Sequence, residues 1–405
     1  MQAIGIISEY NPFHNGHAYQ IARAKEAAAL PVICAMSGNY VQRGEPAMLD
    51  KFQRARMAVS CGASLVLELP TPWACSTAQR FAAGGVELLS RLGVVSYLSF
   101  GSESARLDAI RAAAELIDRE GVNVRIRELM AGAIDYATAR QQAVTEADAA
   151  AGALLSSPND ILGIEYLRAI RARSAAIQPL PIRREGAAHD GGAKGDFASA
   201  SELRRMLLSG EAEAVRRYLP PAAYAILREA MDAGEAPVSQ TRLDAAILSA
   251  LRRMHSADFA VLPDVSEGLE FRLAAAAQEA VDPMDFCDRV KTRRYSHARI
   301  RRIMMAAFLG MKKELQTRPI PYARVLAFDD DGRALLREIR EKGDLPIIAK
   351  AADGRTLGGD VAAYLEFEAL ADDLFALAYP ERETRGGGRG WTKSPVYVRE
   401  LTVDS

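Results

Sequence analysis

The chain has 405 residues, too many for one core of ordinary size, and its 51 Lys and Arg against 52 Asp and Glu leave a net charge of −1. A charge so close to zero excludes a global field that gathers nucleic acid, so RNA binding must come from a local patch and DNA is not an expected partner. With 49% hydrophobic and 25% charged residues, the composition is globular and neither disordered nor fibrous.

No basic stretch precedes Glu9, and no apolar run approaches the roughly 18 to 20 residues of a membrane span, so a cytoplasmic protein without membrane contact is expected. The cysteines Cys34, Cys61, Cys75 and Cys287 form no C-x-x-C pair, which argues for a reducing compartment and against structural zinc. In chain order, apolar β-branched runs at 3–7, 31–36, 64–69 and 97–100 predict strands, with helical patterns at 17–29, 46–60 and 76–91 between them. Strands separated by helices predict a parallel sheet with right-handed crossovers and a ligand crevice beyond the carboxyl ends of the strands. The first strand runs into Glu9-Tyr10-Asn11-Pro12-Phe13-His14-Asn15-Gly16-His17 and the second into Ser37-Gly38-Asn39, so both open on one crevice.

Residues 105–173 are helical in pattern, an insertion over about 105–155 being followed by a helix start at Ser156-Ser157-Pro158-Asn159. Residues 180–183 read as a returning strand, 189–195 as a polar glycine-rich loop whose part 191–195 could close as a lid, and Ser199 as the start of the next helix. Residues 211–318 are helical throughout, with patterns at 241–254, 267–280 and 296–311. After Pro321, strands at 324–328 and 345–349 flank a helix at 332–342. The expected architecture is α/β: a parallel-sheet domain over 1–210, an all-helical basic domain over 211–318, and a small α/β unit over 319–405.

A strand that leads through a loop into H-x-G-H at a helix start places two imidazoles beside backbone N–H groups that already favour an anion. Gly16 permits close backbone approach, and His14 and His17 can stabilise charge developing on a phosphate without covalent chemistry. A zinc site is the competing reading, but no third ligand lies nearby. Ser199-Ala200-Ser201-Glu202-Leu203-Arg204 repeats the phosphate-friendly logic, with serine hydroxyls at a helix start and the Arg204 fork; alone, it is also a simple cap. Neither G-x-x-x-x-G-K-[ST] nor G-x-G-x-x-G opens a βαβ unit, which argues against P-loop phosphoryl transfer and ordinary dinucleotide binding. From Arg289 to Lys313 there are nine Lys or Arg and no acidic residue. Ile300, Ile303, Met304, Ala307, Phe308 and Met311 form an apolar stripe there, with Arg299, Arg301 and Arg302 off it, so RNA phosphates compete with plain solvent for this basic face.

These motifs resemble the HIGH-type nucleotidyltransferases, and specifically the bacterial tRNA(Met) cytidine acetate ligases. The resemblance rests on G-I-I-S-E-Y-N-P-F-H-N-G-H (5–17), M-S-G-N-Y-V-Q-R-G-E-P-A (36–47), S-S-P-N-D-I-L-G-I-E-Y-L (156–167) and F-A-S-A-S-E-L-R (197–204). The basic segment and 322–326 match more loosely. It implies a Rossmann-like nucleotidyltransferase domain that uses ATP and magnesium to activate acetate as acetyl-adenylate and acetylates N4 of the wobble cytidine of elongator tRNA(Met). By the same resemblance, ATP contacts fall on Ile7, Ser8, Glu9, Tyr10, Asn11, Pro12, Phe13, His14, Asn15, Gly16, His17, Gln20, Gly101 and Asn159, and on Arg184 or its neighbour Arg183. The catalytic group is His14, His17, Ser199 and Arg204, with no protein metal ligand assigned, and tRNA binding falls on Arg293, Arg294, Arg299, Arg301 and Arg302. The chain has Ala188 where the family pattern leads to expect an aromatic before His189-Asp190, so no aromatic ring stands at that position to stack. The rival readings are another adenylyltransferase of this superfamily acting on a small molecule, and a non-catalytic RNA-binding protein.

Overall fold

The computed structural model describes residues 1–132, 134–185, 195–266 and 268–399. The strands among them are β1 (Ala3–Ser8), β2 (Val32–Ser37), β3 (Tyr40–Val41), β4 (Glu45–Pro46), β5 (Leu65–Leu69), β6 (Val95–Ser102), β7 (Gln178–Arg183), β8 (Ala323–Phe328), β9 (Ile347–Ile348) and β10 (Val396–Tyr397). One sheet has the order β10-β8-β5-β2-β1-β6-β7, with β9 also on β8, while β3 and β4 form a separate hairpin. Strands β5, β2, β1, β6 and β7 run parallel, as their spacing with helices predicts. From β1 the chain builds outward through β2 and β5, then returns to the other side of β1 to lay down β6 and β7. The topological switch therefore lies between β1 and β6, and a crevice is expected outside their carboxyl ends.

β1, β2 and β5 are buried throughout. Apolar side chains alternate between two cores, so Ile7, Ile33 and Leu67 face one layer of helices while Ile6, Cys34 and Val66 face the other. The helix predicted over 46–60 begins later, at Lys51, because Asp50 accepts the Phe52 amide at 2.8 Å and caps it; residues 40–46 form the hairpin instead.

The boundary expected at 318/319 is not a break in the sheet. β8 lies antiparallel against β5, and β9 and β10 pair with β8, so the last segment extends the N-terminal sheet and does not form a unit of its own. Without β8, the backbone edge of β5 would be unpaired. The junction is tied by buried charge: Lys51 Nζ is 2.6 Å from Glu68 and 2.8 Å from Asp372 of the helix Gly359–Ala376, and Arg324 of β8 is 3.4 Å from Glu68. Removing one member of such a group costs about 3–5 kcal/mol, because the others stay buried without their partner. The helical region packs its own core around Leu251, Phe259, Phe286 and Met304, and that core also takes in Tyr40 of the hairpin and Phe375 of the Gly359–Ala376 helix.

Candidate active site

After β1 the chain turns through Tyr10, which adopts a positive φ of 48°, and enters the helix Asn15–Ala28 with His14 as its N-cap. Nδ1 of His14 accepts the Gly16 amide at 3.1 Å, and Nδ1 of His17 accepts the His14 amide at 3.2 Å. The two rings stack with centroids 3.7 Å apart and planes inclined by 20°. Burial, reinforced by the Arg184 guanidinium, lowers the His14 pKa to about 3. Burial, then His14 and Arg184, holds His17 well below the usual histidine range. Both imidazoles are therefore neutral near pH 7, and since Nδ1 accepts in each, Nε2 carries the hydrogen. The helix N-terminus thus offers a cleft two ring N–H donors in addition to its own amides.

That cleft opens at the switch point. Its walls come from the end of β1 (Ile7, Ser8, Glu9), the end of β6 (Phe100, Gly101), the residues after β7 (Arg183, Arg184, Glu185), the start of the helix Ala200–Leu208 (Ser199, Ala200, Ser201, Arg204), and the hairpin (Gln42, Arg43, Glu45). Arg204 donates to the Asn11 carbonyl at 3.0 Å and lies 3.6 Å from Glu45, which ties three of these walls together. Ser199 caps its helix by accepting the Glu202 amide at 3.2 Å. Asn159 donates to Glu103 at 2.5 Å, and Asp160 accepts from the Ser104 amide at 3.2 Å and from Ser102, so the S-S-P-N-D segment is docked on the end of β6. Ser8 Oγ and Asn11 Nδ2, both in residues lining the cleft, are buried without a hydrogen-bond partner among the described residues.

Residues 1–389 match the HIGH nucleotidyl transferase family. The chain is 34% identical over 424 residues to the tRNA(Met) cytidine acetate ligase of Alkaliphilus metalliredigens, covering 99% of this chain and 100% of that one. It is 39% identical over 360 residues to the ligase of Syntrophotalea carbinolica, covering 86% and 84%. The solved structure of Thermotoga maritima TmcAL bound with alpha-thio ATP superposes with a TM-score of 0.91 at 30% identity, covering 98% of this chain and 100% of that one. The chain belongs to the tRNA(Met) cytidine acetate ligase family of HIGH nucleotidyl transferases.

Of the positions matched to this ligase family by sequence, Ile7, Ser8, Glu9, Tyr10, Asn11, His14, Gly16, His17, Gln20, Gly101, Asn159, Arg184, Ser199 and Arg204 all line the one cleft. Pro12, Phe13 and Asn15 do not. Phe13 is fully buried, and Asn15 turns away to donate to the carbonyls of Asp196 and Arg217 at 2.8 and 3.0 Å. Both Arg183 and Arg184 reach the wall, but only Arg184 lies over Gly101, where an added Cβ would meet its Cγ at 3.4 Å. Residues 188–194, which hold most of the expected lid and the Ala188 position, fall outside the described residues.

The basic helix differs from expectation. His297–Leu309 buries the predicted stripe but also Met305, Ala306 and Leu309, because it runs between the helical core and the hairpin. At Gly44, with φ 77°, a Cβ would sit 2.6 Å from the Arg302 backbone nitrogen, so hairpin and helix meet backbone to backbone. Arg299 donates to the Asp264 carbonyl and to Ser266, each at 2.9 Å; Arg302 binds the Asp264 carboxylate at 2.8 Å; and Arg301 Nε is buried. These three do not form the clean solvent-facing strip that the helical periodicity predicts. Arg293 is exposed and Arg294 half-buried, both in the turn that precedes the helix.

Arg54 is the residue that sequence reading misses. It is fully buried and donates to the carbonyls of Glu9 at 2.6 Å, Ser37 at 3.2 Å, Leu49 at 3.0 Å, and Gly38, so one guanidinium fixes the exits of β1 and β2. Its only signal in the sequence is an arginine on the otherwise buried face of the Lys51–Ser60 helix.

Proposed function

We propose that this chain is an ATP-dependent acetate ligase acting on tRNA: it converts acetate and ATP into acetyl-adenylate and diphosphate, then acetylates N4 of the wobble cytidine of elongator tRNA(Met), releasing AMP. The observation that carries the reading is the pair of neutral, stacked imidazoles at the helix N-terminus, both lining the cleft at the sheet's switch point. An acetate oxygen attacks the α-phosphorus directly, so this first step needs no general base. His14, His17, Ser199 and Arg204 stabilise the charge that develops on the α-phosphate and on the departing diphosphate. The orphaned Ser8 hydroxyl and Asn11 amide are polar partners for the nucleotide. Cytidine N4 is a poor nucleophile, which explains why a mixed anhydride made at the expense of ATP is required.

Among the described residues, no group of three or more His, Cys, Asp and Glu could hold a metal ion. Magnesium fits as the counter-ion of the nucleotide, where phosphate oxygens and water provide most of the ligands and the ion neutralises phosphate charge. No described helix is long and apolar enough to cross a membrane. The exposed basic turn at Arg293, with Arg294 beside it, is the proposed tRNA-phosphate surface, whereas Arg302 is held by Asp264. Acetate-dependent exchange of label between diphosphate and ATP, measured without tRNA, tests the adenylate; exchange that ignores acetate would contradict it.

A further inference from the structure

The transfer half of this reaction has a chemical requirement that the adenylation half lacks. When an exocyclic amine attacks the acetyl carbonyl, its nitrogen gains positive charge and must give up a proton, and the histidines are not available to take it. Both are neutral rings whose Nδ1 already accepts a backbone amide and whose Nε2 carries a hydrogen. The tyrosine beside them, Tyr10, has its hydroxyl engaged with Cys34 Sγ at 3.3 Å in the core.

Three carboxylates line the described cleft: Glu9, Glu45 and Glu185. Glu185 is exposed and accepts the Tyr19 hydroxyl at 2.9 Å, and Glu45 lies 3.6 Å from the Arg204 guanidinium. Glu9 is held differently. Its carbonyl is gripped by Arg54 at 2.6 Å and its Oε1 accepts the Gln42 amide at 2.9 Å, while Oε2 has no hydrogen-bond partner among the described residues. The Glu9 backbone is thus fixed by the buried arginine and its carboxylate by the hairpin, with one carboxylate oxygen left to receive a proton.

We infer that Glu9 is the proton acceptor of the transfer step, a role that rests on the ligase reading above and adds to it. The amine nitrogen attacks the carbonyl carbon of acetyl-adenylate, the C–N bond forms, and the bond between that carbon and the phosphate oxygen breaks so that AMP leaves with the electron pair. The amine proton passes to Glu9 Oε2 and then to solvent once products depart. Burial raises the Glu9 pKa above the ordinary value, only partly offset by the Gln42 amide, which makes it a better base than an exposed carboxylate. The charged groups that set this value are Glu45 and Arg43 on the hairpin and Arg204 on the following helix. Tyr166, on the helix Pro158–Ala172, responds to the Glu9 charge in turn.

The test compares two acceptors for the same intermediate. Glu9→Gln keeps the shape and the acceptor for the Gln42 amide but cannot take up a proton. Acetyl-adenylate formed from ATP and labelled acetate is captured either by tRNA, or by hydroxylamine, which attacks as a free base and needs far less help. Transfer to tRNA should fall by about 10²-fold or more, the scale of a lost general base, while capture by hydroxylamine falls by less than about tenfold. In the wild type, single-turnover transfer should rise with pH through an acidic limb, and that limb should vanish in Glu9→Gln. Glu45→Gln serves as the second variant: it should keep the ratio of the two capture rates and retain the acidic limb, moved to lower pH because a charge that raises Glu9 has been removed. Equal losses with both acceptors, a limb that survives in Glu9→Gln, or a ratio that falls in Glu45→Gln instead would each overturn the assignment. So would a Glu9→Gln defect restored by raised magnesium, which would make the side chain a metal ligand. If the wild type yields no hydroxylamine-trappable acetate at all, the adenylate reading has failed and not this inference.

Discussion

Replacing His14 by Asn separates two roles of one side chain. His14 closes the helix N-terminus by accepting the Gly16 amide at Nδ1, and by our reading it presents Nε2–H to the α-phosphate. Asn places an acceptor where Nδ1 stands and is among the preferred N-caps, so His14→Asn should hold folding stability within about 1 kcal/mol of wild type. It has nothing where Nε2 stands. Loss of one preorganised donor to developing negative charge costs about 10² to 10³ in rate, or roughly 2.7–4 kcal/mol. Acetate-dependent diphosphate exchange at saturating ATP should fall by that factor, and His14→Ala should show the same loss plus about 1 kcal/mol of destabilisation from the missing cap.

The pH behaviour gives an independent check. The folded pKa of about 3 lies below the ordinary 6.5, so folding releases a proton. The stabilisation is complete above pH 6.5 and is lost as pH falls through the window from 6.5 towards about 3. Its slope there is about 1.4 kcal/mol per pH unit. His14→Asn should remove that contribution to acid sensitivity. Exchange within threefold of wild type in His14→Asn, or a limb near pH 6.5 that the substitution abolishes, would refute the neutral-donor reading.

Arg54→Met should leave three carbonyls at the exits of β1 and β2, and that of Leu49, without their donor and destabilise the fold by about 3–5 kcal/mol; a loss under about 1 kcal/mol by denaturant titration would contradict its role. Arg293→Gln should weaken tRNA binding across sequences and make log K against log salt shallower by about 0.7 to 0.9, with exchange in the absence of tRNA near wild type; an unchanged slope would remove Arg293 from the interface. Arg302→Gln should instead lower stability, since it strips the partner from Asp264 beside a tightly packed helix, and a change in tRNA affinity with no change in melting would reverse that distinction. Butyrate in place of acetate should sharply reduce turnover, and equal rates would argue against a pocket fitted to a two-carbon acid.

Much of the site is legible in the sequence because its elements are local. The strand-loop-helix order around His14 and His17, the cap at Ser199 and the helix start at Pro158 each follow from short-range pattern, and the parallel sheet brings their ends together. What sequence does not disclose is pairing at long range. β8 reads as a strand, but its four buried apolar residues do not say that its neighbour is β5, nor that the pair is antiparallel. The apolar stripe of His297–Leu309 predicts a helix with one free face, yet the hairpin covers a second face, which becomes visible only through the close approach at Gly44. Arg54 looks like any helical arginine until the fold brings carbonyls from two strand exits around it. Pro12, Phe13 and Asn15 show the opposite limit, since their positions in a recognisable string do not make them cleft residues.

The central claim is that ATP, acetate and tRNA meet in one reaction, and the most direct measurement is transfer of labelled acetate to bulk tRNA with each component omitted in turn. The account predicts label in tRNA only when all three are present, located as N4-acetylcytidine at the wobble position of elongator tRNA(Met), with AMP and diphosphate formed in equal amounts. Label without ATP, a dinucleotide-like product formed regardless of tRNA, or tRNA bound with no ATP consumed would contradict it.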